Sequence, residues 1–388
     1  MRRRRVDSGV AARAGSDPRR RFRRAAHLVL YWRRDGLVVH DYAAGTLTPA
    51  APEICSTLDF CGEWRTVTAI AEYLDVASSI AAALVGELAR RGLLDRDDRV
   101  ESGAHVRMRA FDPWNPAAGL FHDATRRVQF LSRSAAARFM KQRVEQAPMP
   151  PSVKRIRGVP RVALPRPQTG AEFPQVLLAR RTWRRFGSSA ISIEQLGTML
   201  GLTLGVQQWV PTDFGRLPLK TSPSGGARHP IEAYVCVRRV SRVPPGLYHY
   251  ASDVHALERL RGGDLTARVR AWMPHSEYFA RAAFIVIFTA VLDRELWRYP
   301  YARAYRAAVA EAGHVCQTFC LTATWQGLAP FCLMGLDDAA IEKDLGVDGV
   351  RETVLYAAGA GARPRGASWA PRPRGQLTSR MNAVFTDS

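Results

Sequence analysis

The sequence contains almost no lysine. Of its 56 basic residues, 52 are arginines, and the lysines are Lys141, Lys154, Lys220 and Lys343. Such a bias is partly compositional, so a formal net charge of +21 does not by itself indicate a nucleic-acid partner. Residues 1–24 hold ten of the arginines. For the rest of the chain, an acidic partner or an anionic ligand explains the charge as well as nucleic acid does.

Paired cysteines and long apolar runs are also missing. The six cysteines form no CxxC motif, and we expect buried free thiols. Cys316 and Cys320 share a helix face but lack the third and fourth ligands that zinc needs, so we interpret them as core residues and predict no metal site. The stretch AAHLVLYW is too short for a signal peptide, and no run is long enough to span a membrane. We therefore expect a cytoplasmic protein.

The chain divides by composition into five parts. We predict a disordered basic tail over 1–24, a small winged-helix domain over 25–102, a linker with one helix over 103–170, a large domain over 171–365 and a carboxy-terminal extension over 366–388. In the small domain, two β-like runs precede three helical runs. Thr66 is a predicted N-cap, Gly92 a predicted helix end, and LLDRDDRV a predicted wing.

The large domain alternates helical and strand patterns. Ser192 and Gln195 have capping-box spacing, which predicts a helix over 193–207. IEAYVCV, AFIVIFTAV and ETVLYAAGAG are predicted strands, and the longest helix is expected over 301–326. Helices between non-adjacent strands indicate an α+β or α/β domain.

Two stretches could hold a ligand. In TSPSGGARHPIEAYV, small residues at Ser224, Gly225 and Gly226 suit either a plain turn or a loop that something must approach closely. In LLARRTWRRFG, Arg180, Arg181, Arg184 and Arg185 surround Thr182. Taken alone, this run favours a solvated helix end, although such a cluster also suits a bound phosphate dianion.

Taken together in order, RRTWRRF, SPSGGARHPIEAYV, GLYHY, WRYPYARAYRAAVAEAGHVCQTFC, MGLDDAAIEKDLGV and ETVLYAAGAGARPR resemble the nitroreductase superfamily, with the SagB-type peptide dehydrogenases as the most similar branch. The resemblance implies an α+β, nitroreductase-like FMN fold with a mixed sheet flanked by helices, and a homodimer with FMN at the subunit interface. It also implies oxidation of azolines in ribosomally made peptides.

The same resemblance implies the cofactor-binding residues. The Pro-Ser-x-Gly loop would pass against the flavin, while basic and polar side chains would hold the phosphate or the ring edge, and the end of a strand would lie near N5. These residues are Arg180, Thr182, Arg184, Pro223, Ser224, Gly225, Gly226, Gln317, Met334, Gly335, Arg363 and Arg365. His314, with Gln317, would line the cavity.

The chain departs from the family at the expected catalytic pair. Azoline dehydrogenases have Lys-Tyr beside the flavin, whereas the matching positions here are Arg298 and Tyr299. An arginine cannot act as the base, so Tyr299 would take the ring proton and Arg298 would orient substrate or favour the phenolate. The alternative is a surface charge beside a packed aromatic ring.

The amino-terminal unit resembles the PqqD-like winged-helix elements that bind precursor peptides, so residues 25–102 would bind a leader peptide. DNA binding is the competing interpretation, although TVTAIAEYL has no basic residue, and a brace for the dimer is a third. We expect an FMN-dependent dehydrogenase or oxidase of a ribosomal peptide, with a cyclodehydratase as a further partner. An NAD(P)H-dependent nitro or quinone reductase and a DNA-binding regulator with a degenerate flavin domain are the alternatives.

Overall fold

The computed structural model describes most of the chain as two compact units, 1–125 and 126–388. The residues that it describes are 19–126, 132–146, 170–212, 215–274, 276–299 and 301–367. The predicted linker residues 147–169, most of the predicted tail and most of the carboxy-terminal extension lie outside these ranges.

The first unit contains two small sheets and a helical layer. Its strands are β1 Arg21–Arg24, β2 Leu28–Arg33, β3 Gly36–Asp41, β4 Thr46–Pro49, β5 Arg65–Thr66 and β6 Leu94–Arg96. Its helices are α1 Pro52–Phe60, α2 Val67–Leu74, α3 Ser78–Arg90, α4 Gly103–Met108 and α5 Pro116–Arg126. The strand orders are β2-β3-β4 and β5-β1-β6, with antiparallel pairing.

The local signals of this unit act as the sequence predicts. The hydroxyl of Thr66 accepts a hydrogen bond from the backbone N–H of Ala69, and Gly92 follows α3 with a φ of 78°. The predicted wing contains β6, which pairs with β1. Leu58, Ile70, Val85 and other apolar side chains close a core between the helices and β1.

Two predictions for this part of the chain are wrong. Residues 21–24 of the predicted disordered tail form β1, because the buried side chain of Phe22 joins the core and both neighbours of the strand pair with it. The predicted linker over 103–170 contains more than one helix: its described residues include α4, α5 and a further helix that starts at Arg133.

The second unit contains one large sheet with helices on both faces. Its helices are α6 Arg133–Gln146, α7 Glu172–Ala179, α8 Ile193–Leu204, α9 Thr266–Trp272, α10 Leu292–Arg298, α11 Ala304–Trp325 and α12 Asp338–Leu345. Its strands are β7 Gln208–Thr212, β8 Gly215–Leu219, β9 Ile231–Val237, β10 Gly246–Ala251, β11 Ala256–Gly262, β12 Phe284–Val291, β13 Ala329–Leu333 and β14 Glu352–Gly361.

The large sheet has the strand order β11-β10-β9-β12-β14-β13, and β7 and β8 form a separate hairpin. The predicted α+β class is confirmed. The expected mixed sheet is corrected in one respect, because every pairing among the described strands is antiparallel. Loops without helices connect β9, β10 and β11 in turn. The helical connections after β12 bring β14 back beside it in the opposite direction.

The long helix α11 packs against β13 and β14 and also contacts α7 and α8. The opposite face of the sheet is covered by α9, α12 and the 3-10 turn Glu277–Arg281, around buried side chains such as Trp272, Phe279 and Phe331. The capping box at Ser192 and Gln195 starts α8 as predicted. Among the described helices, none is by itself long and apolar enough to cross a membrane, and one bent pair, α2 with α3, passes that test by length and composition only.

Candidate functional site

The glycine loop between β8 and β9 is tied to the long helix α11. The Ser222 hydroxyl lies 3.1 Å from that of Thr318 on α11, and the Ser224 hydroxyl accepts a hydrogen bond from the backbone N–H of His229 at 2.8 Å. Gly226 has a φ of 59°, within a single 3-10 turn. The loop is thus a fixed turn against a helix, as its Pro-Ser-Gly-Gly chemistry permits.

The two glycines of this loop have different neighbours. A Cβ atom at Gly226 would lie 2.6 Å from Nε of Arg298 and 2.7 Å from the hydroxyl oxygen of Tyr299. At Gly225, which is exposed, the nearest atoms would be 3.8 Å away, on Ala307 and Tyr299. A side chain at position 226 is excluded because Arg298 and Tyr299 occupy the space. The backbone at Gly225, in contrast, is open to a ligand. The structure brings the predicted loop and the predicted catalytic pair together.

The pair Arg298 and Tyr299 ends α10. Nε of Arg298 donates a hydrogen bond to the hydroxyl oxygen of Tyr299 at 3.2 Å, and the Tyr299 backbone N–H donates to the carbonyl of Glu295 at 2.8 Å. Arg298 is exposed and Tyr299 half-buried, with the ring of Tyr301 5.7 Å away. The structure therefore places the two side chains of the predicted catalytic pair in direct contact.

Two buried carboxyl groups lie behind this pair, and neither was predicted from the sequence. Glu295 on α10 is 0% exposed and Glu311 on α11 is 2% exposed. Within the described residues, neither oxygen of Glu295 has a hydrogen-bond partner, and Oε1 of Glu311 lies 3.5 Å from Nδ1 of His229. Burial raises the pKa of Glu295 to about 7, the charge of Glu311 adds to this effect, and Arg228 opposes it.

A sequence signal for Glu311 did exist. Ala308, Ala312 and Val315 form the buried stripe of α11, and a glutamate between them at helical spacing has to be buried too. Lys220, which precedes the glycine loop, was likewise overlooked. Burial lowers its pKa, and its Nζ donates a hydrogen bond to the Ser252 hydroxyl at 3.3 Å.

The basic segment forms a second group at the other end of α11. The Trp183 backbone N–H donates to the carbonyl of Pro330 at 2.9 Å, and that of Gly187 to the carbonyl of Ala362 at 2.8 Å. The segment is thereby held beside the start of β13 and the end of β14. Arg180 and Thr182 on it are half-buried, and Arg184 is exposed.

Arg363 joins this second group through its side chain. Its guanidinium lies over the Trp183 ring and donates to the carbonyls of Leu328, at 3.1 Å, and Thr324, at 3.4 Å. A cation at the carboxyl end of α11 is favoured by the helix dipole. Some N–H donors of Arg363 are therefore used in hydrogen bonds within the fold. Arg365 is exposed and is thus more accessible to a phosphate.

The remaining predicted ligands face outward. Pro223, His314 and Gln317 are exposed, as is Met334 at the end of β13, at 65%. A Cβ at Gly335 would meet, within 4 Å, only the Leu333 side chain. A flavin needs cations for its phosphate and open backbone near its ring. Arg184 and Arg365 offer cations for the first requirement, and Gly225 and Gly335 offer backbone for the second, so the chemistry of these residues suits FMN.

Comparison with known proteins agrees with this fold. The nitroreductase family profile matches residues 177–362. The nitroreductase-like protein MJ1384 of Methanocaldococcus jannaschii is 31% identical over 174 residues, which are 45% of this chain and 84% of that protein. The chain therefore belongs to the nitroreductase family, and the predicted resemblance is confirmed at that level. Membership indicates an oxidoreductase of a family that typically binds a flavin.

Two further relatives are named as peptide-processing proteins. The trifolitoxin-processing protein TfxB of Rhizobium leguminosarum bv. trifolii is 30% identical over 36% of this chain, and the microcin B17-processing protein McbC of Escherichia coli is 29% identical over 32%. The chain spans 38% of TfxB and 48% of McbC, less than half of each.

Solved structures are similar at lower identity. A chain of the Escherichia coli microcin synthetase McbBCD complex with truncated pro-MccB17 bound is 21% identical, with a TM-score of 0.47, and the match covers 65% of this chain and 96% of that one. A nitroreductase-like protein of Ralstonia eutropha is 22% identical, with a TM-score of 0.42, over 54% of this chain and 89% of that one.

Proposed function

We propose that this protein is an FMN-dependent dehydrogenase or oxidase of the SagB type that acts on a ribosomally synthesised peptide, converting an azoline to an azole. The observation that carries the proposal is the contact of the glycine loop with Arg298 and Tyr299, in which the Tyr299 side chain lies beside the open backbone of Gly225. Two relatives named for peptide processing support the substrate class.

The residues of this chain have separate roles in the proposed reaction. When bound, FMN supplies a two-electron acceptor that takes a hydride at N5. Tyr299 removes the second hydrogen of the azoline ring as a proton, and Arg298 stabilises the phenolate that accepts it. Arg180, Thr182, Arg184 and Arg365 hold the phosphate or the ring edge, and Met334 with Gly335 borders the ring.

A homodimer belongs to this proposal. Large apolar side chains are exposed on α7, α8 and α11, and both α7 and α8 pack against α11. They are Phe173, Leu177, Leu178, Leu202 and Trp325. An exposed apolar surface of this kind is typical of a protein–protein interface. Sedimentation equilibrium of the full chain tests it, and a monomer at micromolar concentration would contradict it.

For residues 25–102 we propose leader-peptide binding by strand addition. The edge strand β2 pairs on one side with β3, and its Leu30 and Trp32 are exposed at 43% and 78%. An edge with outward apolar side chains suits β-augmentation by an extended peptide. DNA binding is less well supported, since Glu87 pairs with both Arg90 and Arg91 at the end of α3.

The decisive experiment incubates the flavin-loaded full chain with a synthetic peptide that contains one thiazoline. We expect the peptide to lose two hydrogen atoms by mass spectrometry, with bleaching of the visible flavin absorbance when oxygen is absent. If NADPH bleaches the flavin while the peptide does not, the protein is a nitro or quinone reductase of the same fold. A colourless protein that added FMN cannot fill would contradict both.

A further inference from the structure

Three cysteines of the second unit converge, although the sequence suggested only a pair. Cys316 and Cys320 lie one turn apart on α11, and Cys332 lies on β13. Their three sulfur atoms are all within 4.8 Å of one another. From the sequence, Cys316 and Cys320 lacked a third and a fourth ligand, and β13 supplies the third.

The convergence follows from how α11 packs on the sheet. Residues four apart share a helix face, so Cys316 and Cys320 both point to the strands. Along β13, successive side chains point to opposite faces: Phe331 stacks on Phe279 on the far face, which leaves Cys332 on the face that α11 covers. Cys316 and Cys320 are each 3% exposed, and Cys332 is half-buried.

A cation and a hydroxyl lie close to the sulfurs. Tyr356 makes a side-chain hydrogen bond with Cys332. The positive charge of Arg180 acts on both Cys320 and Cys332. A nearby cation favours the thiolate, which is the form of cysteine that binds metals.

We propose that Cys316, Cys320 and Cys332 form a three-thiolate site for a thiophilic d10 metal ion. Sulfur ligands about 2.3 Å from such an ion lie roughly 3.8 Å from one another, so a small inward movement of the side chains suffices. Thiolate ligands select ions such as Cu(I) and Zn²⁺ over Mg²⁺ or Ca²⁺. Cu(I) would take the three sulfurs alone, whereas Zn²⁺ would need a fourth ligand.

The net charge of the site supports this assignment. Three thiolates with a divalent ion leave one negative charge, and with a monovalent ion two. Arg180, the cation that acts on Cys320 and Cys332, offsets one of these charges. Without a metal, three thiolates could not coexist in a buried site, because like charges at this spacing repel strongly in a low dielectric.

The test titrates the full flavin-loaded chain with Cd²⁺, a spectroscopic probe for thiolate ligands, without oxygen and with a reductant that does not bind metals. We expect a sulfur-to-cadmium charge-transfer band in the ultraviolet difference spectrum that saturates at one equivalent. Cys320→Ser and Cys332→Ser should each weaken binding at least tenfold. Cys236→Ser is the matched control, since Cys236 is a buried thiol on β9, away from the cluster, and it should bind Cd²⁺ like the wild type.

Competition then separates the two natural ions. Anaerobic Cu(I) and Zn²⁺ are each titrated against Cd²⁺, and displacement of the band by either ion at one equivalent supports the site and identifies its preference. The proposal is overturned if wild-type protein gives no band while all its thiols react with an alkylating agent. It is equally overturned if peptide mapping finds a disulfide that includes Cys332. The wild-type titration decides even if a serine variant fails to fold.

Discussion

The Nε of Arg298 donates a hydrogen bond to the hydroxyl oxygen of Tyr299, and both side chains fill the space that a Cβ atom at Gly226 would need. The glycine loop and the Arg298–Tyr299 pair, which lacks the family lysine, are therefore in direct contact. The position of the loop fixes where the Tyr299 hydroxyl can be.

We expect Gly226→Ala to destabilise the protein by about 1–3 kcal/mol, because the residue has a positive φ and its new methyl group would overlap Arg298 and Tyr299. Gly225→Ala is the matched control, since its methyl group would have 3.8 Å of clearance. Urea unfolding of both variants measures the difference. Gly225→Ala should instead reduce flavin content if the open backbone there contacts the ring, and equal stability of the two variants would contradict the geometry.

Tyr299→Phe should keep FMN bound and lower turnover of an azoline peptide by about 10² to 10⁴, the usual contribution of a general base. Tyr301→Phe removes a hydroxyl from the neighbouring ring and should leave turnover near wild type. Arg298→Lys should be milder and should add a titration to the pH–rate profile, since lysine can lose its proton. Full activity of Tyr299→Phe would exclude this base and would point to a substrate other than an azoline.

Arg180→Ala and Arg184→Ala should each weaken FMN retention by about tenfold or more, because a charge-assisted contact contributes roughly 1.5 to 3 kcal/mol. Arg185→Ala, in the same exposed stretch, serves as the control for a general loss of positive charge. Flavin content per protein after gel filtration is the measurement. Unchanged occupancy in both variants would remove these residues from the cofactor site.

Local sequence signals predicted the helices and strands. The sequence did not show which polar side chains are buried together in the folded chain. The capping box at Ser192, the N-cap at Thr66 and the strand patterns each act over a few residues and could be read directly. Glu295 and Cys332 depend on what packs against them from elements far along the chain. No local pattern carries that information, so their surroundings could not be predicted from the sequence.

Removal of residues 1–24 should destabilise the first unit, since it deletes β1, the central strand of its three-stranded sheet, and the buried Phe22. Loss of one buried aromatic side chain alone costs about 3–5 kcal/mol. Removal of residues 1–18 leaves the strand intact and is the matched control. In thermal unfolding followed by circular dichroism, the transition of the first unit should disappear or move to a lower temperature only in the longer deletion. Identical melting of the two would contradict the placement of β1.

The pH dependence of the free energy of unfolding should show the raised pKa of Glu295. Its folded pKa, about 7, lies above the ordinary glutamate value of 4.5, so the folded state binds this proton more tightly than the unfolded state does. The resulting stabilisation is complete below pH 4.5 and is lost as the pH rises through 7. Over this range the wild type should lose up to about 3 kcal/mol in its free energy of unfolding.

Glu295→Gln replaces the carboxyl group by a neutral group of the same shape, so it cannot lose a proton in the buried space beside Glu311. It should match the wild type near pH 5 and exceed it in stability at pH 8, when the wild type must carry a buried charge that has no hydrogen-bond partner among the described residues. Glu145→Gln, at an exposed position of α6, removes a charge without this effect and should follow the wild-type curve. Urea midpoints measured from pH 5 to pH 8 decide the question, and parallel curves for the wild type and Glu295→Gln would show that Glu295 is ionised throughout.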